Sequence, residues 1–155
     1  MMIPGTLTKV RGGWVAACHA LGAYSEGKTR AEAAEMLANA VLCVVDRDDL
    51  EVTVTETGKI DGTTVGVSID SKTPGVLVAY MLLVQRELAG LSLAEVARRV
   101  GDVNASACAA YEQGKREPSI STLQKIMAVV APKLGFIVGP RELVLPMAKA
   151  RAISR

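Results

Sequence analysis

Aromatic side chains are scarce in this sequence, at 3% of its 155 residues, and only one of them is a tryptophan. Half of the residues are nonetheless apolar, so a core must be built from alanine, valine, leucine and methionine, as a globular chain can do. Cysteine is also rare: Cys18, Cys43 and Cys108 form an odd set without a CxxC pair. This pattern argues against a disulfide framework and a zinc site, and we expect three reduced, mostly buried thiols.

Long apolar runs are missing as well. The longest strongly apolar stretch, residues 76–84, is too short to span a bilayer. The start of the chain lacks the basic segment, apolar stretch and small-residue cleavage site of a signal peptide. We therefore predict a cytoplasmic protein without a membrane partner.

Residues for catalysis or metal binding do not cluster along the sequence. Cys18 and His19 are neighbours in a predicted strand and would point to opposite faces, which argues against a thiol and its base. The acidic residues after the first predicted helix are typical of a solvated turn rather than a metal site: Asp46, Asp48, Asp49 and Glu51. We predict that the protein is not an enzyme and has no catalytic residue, metal or cofactor.

The net charge of +2 hides an uneven distribution along the chain. Residues 1–72 contain 7 Lys and Arg against 10 Asp and Glu, a net charge of −3, whereas residues 73–155 contain 11 against 6, a net charge of +5. Such differences also arise by chance, but here the sign changes at a polar, turn-rich stretch. We predict four segments: a partner-binding domain at 1–70, a linker at 71–75, a helical domain at 76–139 and a tail at 140–155.

The first segment shows the patterns of a small α+β domain. Apolar residues alternate with polar or small ones before residue 25 and again after residue 51, as in strands. Between these stretches, Thr29 and Glu32 match a capping box, followed by apolar residues at three and four residue spacing. An Asp61-Gly62 pair suits a type I′ turn between two later strands. We predict a small antiparallel sheet with one helix on one face.

The later segment has a helical pattern with clear helix start and stop signals. A first helix begins at Pro74 and stops near Gly90. Ser92 and Glu95 form a capping box for a short second helix, which Gly101 closes. We expect a tight turn after Gly101.

The third predicted helix of this segment has two distinct sides. Asn104 or Ser106 can cap it, and Cys108 and Tyr111 lie three residues apart on the side that faces the core. The opposite side, with Ala105, Ser106 and Ala110, would face outward. Two short helices at a sharp angle suit the major groove of DNA, and the cations that follow Gly114 can meet phosphates: Lys115 and Arg116.

This run resembles the Xre family of helix-turn-helix repressors over about a third of the chain. The resemblance rests on Gly90-Leu91-Ser92, on Val100-Gly101 and above all on Tyr111-Glu112-Gln113-Gly114-Lys115. It implies that Arg86 and Glu112 form the family's buried ion pair. It also implies DNA contacts by a set of side chains around the turn and the third helix: Ser92, Asn104, Ala105, Ser106, Ala110, Gln113, Lys115 and Arg116.

Three departures from the family pattern affect the expected mechanism. Asp102-Val103 lengthens the turn, and Leu93 replaces a glutamine at the helix start. Ala105, Ser106 and Ala110 stand where the family often has residues with longer polar side chains. Alanine can contact a thymine methyl group but makes no bidentate hydrogen bond to a base. Alternatively, the helices serve only as a dimerisation module with a solvated basic face.

The front segment resembles the HicB antitoxin family, on the run from Gly12 to Val41 and its Ser25-Glu26-Gly27-Lys28-Thr29 stretch. The resemblance implies a partial ribonuclease-H-like fold and a partner, a small basic HicA-like ribonuclease toxin. Trp14 and Tyr24 are candidate anchors for that partner because aromatic residues are enriched at interface centres, but their scarcity in this chain favours a role in completing the core.

Together these features predict an antitoxin that masks its toxin, represses its own operon through operator DNA, and forms a homodimer or a higher homo-oligomer. The alternative is a helix-turn-helix regulator whose front domain senses a ligand or another protein.

Overall fold

A computed structural model describes residues 2–45 and 50–135, together with the backbone of residues 152 and 153. The described chain forms two compact units. The described part of the front unit contains six strands, one α-helix and a one-turn 3₁₀ helix at His19–Leu21, and the described part of the helical unit contains four α-helices. The predicted Asp46, Asp48 and Asp49 turn lies outside the described residues, as does most of the predicted tail.

The front unit is an antiparallel sheet with one long helix. Its strands lie in the order β3-β2-β1-β5-β4-β6. The bounds are β1 Ile3–Val10, β2 Gly13–Cys18, β3 Ala23–Gly27, α1 Arg30–Val45, β4 Val52–Lys59, β5 Thr64–Ser71 and β6 Ala152–Ile153. The short β6 pairs with β4 and is the part of the predicted tail whose backbone is described. The antiparallel sheet and its single helix confirm the predicted α+β class, while the ribonuclease-H-like fold stays a prediction.

The core of the front unit lies between α1 and one face of the sheet. Because successive strand residues point to opposite faces, the register that pairs Leu7 with Ala16 and Val65 places all three on one side. All three are buried, as are the α1 residues Leu37 and Val41. This core is built from aliphatic side chains, as predicted from the scarcity of aromatics.

The Ser25-Glu26-Gly27-Lys28-Thr29 stretch ties β3 to the start of α1. The Ser25 hydroxyl donates to the Ala33 carbonyl at 2.9 Å, and the Thr29 hydroxyl accepts from the Glu32 backbone N–H at 3.1 Å. A Cβ at Gly27 would lie 2.4 Å from the Ala33 nitrogen, so only glycine fits there. The Glu32 carboxylate accepts from the Lys28 N–H, one residue before the donor of the predicted capping box.

One local prediction for the front unit is wrong, the type I′ turn at Asp61-Gly62. The β4–β5 connection is a four-residue loop, residues 60–63, rather than a type I′ turn, and Gly62 is not among the glycines with positive φ. The Asp61 carboxylate replaces that turn by accepting from the backbone N–H groups of Thr63 and Thr64, both at 2.7 Å. The three cysteines agree with the prediction of mostly buried thiols, since Cys18 and Cys108 are buried and Cys43 alone of the three is exposed.

The helical unit contains α2 Pro74–Leu88, α3 Leu93–Val100, α4 Ala105–Glu112 and α5 Ile120–Val130. Its core is aliphatic, with Leu77, Leu82, Val96 and Ile126 at most 4% exposed. Among the described helices, none is by itself long and apolar enough to cross a bilayer; α2 and α3 together meet the length and composition requirement but are bent by 99° at the break between them.

Candidate nucleic-acid interface

Arg86 and Glu112 connect α2 to α4 through a two-pronged hydrogen-bonded ion pair. Arg86 Nε donates to Glu112 Oε1 at 2.7 Å, and Nη2 donates to Oε2 at 2.9 Å. The third guanidinium nitrogen, Nη1, donates to the Leu91 carbonyl at 3.1 Å. The two side chains are only 15% and 10% exposed. Because a guanidinium fixes its partners in one plane, this pair holds the start of α3 and the end of α4 in a set orientation.

The start of α3 is fixed by reciprocal capping. The Ser92 hydroxyl accepts from the Glu95 N–H at 3.2 Å, and the Glu95 carboxylate accepts from the Ser92 N–H at 3.0 Å. These hydrogen bonds hold the pKa of the Glu95 carboxyl below its usual range. At the other end, the last turn of α3 presents exposed Arg98 and Arg99. Sequence reasoning did not select these two cations, although adjacent arginines at the end of the first short helix were a usable signal.

The turn between α3 and α4 is held at both ends. Gly101 closes α3 with φ at +89°, a conformation that other residues rarely adopt. Asn104, rather than Ser106, is the N-cap of α4, and its side-chain oxygen accepts from the Ala107 N–H at 2.8 Å. Within the turn, Asp102 forms an ion pair with Lys125 of α5, which lowers the pKa of the Asp102 carboxyl.

Opposite its buried side, α4 presents a surface of small side chains. Cys108 and Tyr111 are 3% and 7% exposed and define the buried side. At 3.6 residues per turn, the outward line carries Ser106, Ala109, Ala110 and Gln113, with Ala105 at its edge. Ser106 and Gln113 are exposed, and the alanines are half-buried. The sequence analysis missed Ala109, whose place on this line follows from helical spacing alone.

Two cations follow α4 at the same end of this surface. Gly114, with φ at +65°, ends the helix and lets the backbone N–H groups of Lys115 and Arg116 both donate to the Ala110 carbonyl, at 3.0 and 3.3 Å. Both residues are exposed. The Arg116 guanidinium lies 5.9 Å from the centre of the Tyr111 ring, which orients it beside the helix end.

Comparison with known families identifies this arrangement. Residues 84–130 match a family described as helix-turn-helix, and the match begins within α2 and ends with the last residue of α5. The helical unit is a helix-turn-helix domain of the Xre type. None of the curated proteins with which the sequence was compared matches it. This domain indicates DNA-binding transcriptional regulation. Within it, α4 is in the position of the recognition helix.

In the front unit, the two candidate partner-binding residues differ in how far their side chains are exposed. Trp14 is half-buried, with the Arg30 guanidinium 5.7 Å from its ring, and Arg30 also forms an ion pair with Glu56 at 2.8 Å. Tyr24 is 57% exposed, and its hydroxyl lies 3.0 Å from His19 Nδ1. An open depression of about 430 Å³ lies beside Trp14 at the β1–β2 turn, between side chains of both charge signs.

The described residues contain no group of three or more His, Cys, Asp or Glu side chains that could hold a metal ion. Glu51, the described member of the acidic run, forms an ion pair with Lys72 at 2.6 Å. Burial raises the pKa of the Cys18 thiol to about 11, so this thiol stays protonated at neutral pH and is a poor nucleophile.

Proposed function

We propose that the protein is a cytoplasmic, non-catalytic antitoxin that represses its own operon through the helix-turn-helix domain and masks a small basic ribonuclease with the front unit. The observation that carries the DNA-binding part is the α3–α4 pair, oriented by the Arg86–Glu112 ion pair inside the matched segment. The toxin-binding part rests on the front-unit resemblance to HicB antitoxins.

The charges around the recognition helix support a phosphate-binding role. Exposed cations lie at the end of α3 and after the end of α4: Arg98, Arg99, Lys115 and Arg116. With α4 in the major groove, cations on neighbouring elements would contact the DNA backbone on its edges, as in other helix-turn-helix domains. A homodimer would place two such domains on paired half-sites, so that two weakly binding domains would together bind DNA with higher affinity.

The front unit has features that suit a basic protein partner. Residues 1–72 carry a net charge of −3, which would favour association with a cationic toxin. The bound front unit would then exclude nucleic acid from the RNA-binding site of the toxin. Tyr24 offers an exposed aromatic side chain on β3, which lies at one edge of the sheet. The order of three strands, one helix and further strands agrees with the order expected from the HicB resemblance.

A direct test is coexpression of the full chain with the product of its neighbouring gene. We expect a small basic ribonuclease to co-purify with the chain and the complex to bind its own promoter fragment. Tyr24→Ala should weaken the complex, while Ile60→Ala, which truncates a side chain that is 59% exposed elsewhere on the front unit, should not. Promoter binding without any basic partner would reject the toxin-binding part and retain the DNA-binding part.

The depression beside Trp14 favours one alternative, a regulator whose front unit binds a small ligand. In that case a lone gene would encode the protein, and a ligand would change its promoter affinity. Thermal-shift screening of small charged metabolites against the full chain and Trp14→Ala distinguishes the two, because only a ligand-binding front unit would show a shift that Trp14→Ala abolishes.

A further inference from the structure

The outward surface of α4 has an unusual chemistry for a recognition helix. Along the line from Ser106 to Gln113, the two residues between them, Ala109 and Ala110, contribute only methyl groups. Asn104 at the helix start has its side-chain oxygen engaged as the N-cap. The middle of the reading surface therefore has no side-chain donor or acceptor that reaches a base edge.

The major groove of DNA offers one apolar feature, the C5-methyl group of thymine; its other features are hydrogen-bond donors and acceptors. A methyl-covered helix surface makes no hydrogen bonds to the donors and acceptors of the base edges. Where it displaces water, those donors and acceptors lose their partners, which costs binding free energy. The same surface gains from burying a thymine methyl group against an alanine methyl group.

Small side chains also set the distance of approach. With Ala109 and Ala110 at its centre, the backbone of α4 can lie closer to the base edges than a helix with long side chains. Arg98, Arg99, Lys115 and Arg116 are exposed on either side of α4 in the chain, so phosphate contacts can hold the helix at that depth.

We propose that α4 selects its operator through thymine methyl groups, contacted by Ala109 and Ala110, rather than through bidentate hydrogen bonds to bases. This inference rests on the proposed DNA-binding function. Operator half-sites should then contain A·T pairs where the centre of α4 lies, with Ser106 and Gln113 available for polar contacts at its two ends.

Uracil substitution tests the proposal, because it removes the C5-methyl group and leaves base pairing intact. Duplexes that bind the full chain are selected from a random-sequence library, and each thymine of the tightest duplex is replaced in turn by deoxyuridine. We expect substitution at the one or two contacted positions to weaken binding about four-fold each, the equivalent of about 0.8 kcal/mol for one buried methyl-sized group.

Matched variants assign that loss to α4. In Ala109→Gly, uracil substitution at the contacted position should reduce the binding affinity less than it does for the wild-type chain, because the alanine methyl group is gone. In Ala107→Gly, which carries the same substitution on α4 away from the outward line, the full loss should remain. Equal losses in both variants would overturn the assignment to Ala109.

The outcomes separate this inference from the proposed function. Tight and selective DNA binding that is insensitive to uracil at every position would overturn methyl reading and leave DNA binding intact. Failure of the wild-type chain to bind any selected duplex would overturn both.

Discussion

In the front unit, the hydrogen bonds that build the sheet join residues far apart in the sequence, whereas in the helical unit the helix ends are set by hydrogen bonds within a few residues of each other. Ile3 pairs with Ile69 across β1 and β5, but Ser92 caps α3 through Glu95. The main long-range polar link in the helical unit is the ion pair between Arg86 and Glu112. The comparison teaches that both units have an apolar core, but the helix ends of the helical unit are set by local polar groups and the sheet of the front unit by the pairing of distant strands.

The largest expected effect is the loss of the Arg86–Glu112 pair. Arg86→Ala leaves the Glu112 carboxylate largely buried without its partner and should lower the free energy of unfolding of the helical unit by about 3–5 kcal/mol. Hydrogen exchange of peptides from each unit measures this loss. Arg98→Ala, at an exposed arginine, is the matched control.

A double variant then tests the reason for that loss. Arg86→Met combined with Glu112→Leu removes both charges and should recover most of the stability. If the double variant is as unstable as Arg86→Ala, the loss does not come from an unpaired carboxylate.

The next largest effect is expected from truncating a buried side chain in the apolar core of the front unit. Leu37 is fully buried on α1, and Leu37→Ala should lower the free energy of unfolding of the front unit by about 2–5 kcal/mol. Met36→Ala, at the neighbouring residue that is 47% exposed, should cost far less. Equal losses in urea unfolding would contradict the placement of α1 on the sheet.

A smaller effect is expected from the cap of the recognition helix. Asn104→Ala removes the acceptor for the Ala107 N–H and should cost about 1 kcal/mol. Asn104→Asp retains an acceptor and serves as the control, so both variants should be compared by thermal unfolding. A loss in Asn104→Asp as large as that in Asn104→Ala would contradict the capping role.

The smallest effect concerns pH and the β4–β5 loop. Backbone N–H donors and the Thr63 hydroxyl lower the pKa of the Asp61 carboxyl, so its charged form stabilises the folded state. That contribution is present above the pKa of the unfolded state, about 4, and is lost as pH falls through the lower folded pKa. The wild-type chain should therefore be more stable than Asp61→Asn at pH 7, and the difference should vanish in acid. A difference that does not vary with pH would contradict this account.

The helical unit could be predicted in detail because its signals are local. The Ser92–Glu95 capping box, Gly101, and the inward Cys108 and Tyr111 all follow from short-range spacing. Sequence did not decide between Asn104 and Ser106 as the cap, since both side chains can accept the same kind of hydrogen bond. Ala109 was not predicted, because the predicted set follows the positions where the Xre family often has polar side chains.

The front unit could be predicted only as strands and a helix. Sheet order and register depend on pairing between distant segments, such as β1 with β5, for which the sequence offers no local signal. The Asp61-Gly62 pair favoured a short turn, but the Asp61 side chain stabilises a longer loop instead. Cys43 lies at the end of an apolar helix, where spacing alone did not distinguish the outer face from the buried one.

The central claim, that the helix-turn-helix domain binds DNA, is tested most directly by the salt dependence of promoter binding. Lys115→Ala/Arg116→Ala should weaken binding across sequences and reduce the slope of log K against log salt by about one unit per lost phosphate contact. Lys9→Ala/Lys59→Ala removes the same charge from exposed positions of the front unit and should leave the slope unchanged. A wild-type chain that shows no promoter binding at low salt would contradict the claim, and identical slopes for all three proteins would contradict the phosphate contacts of Lys115 and Arg116.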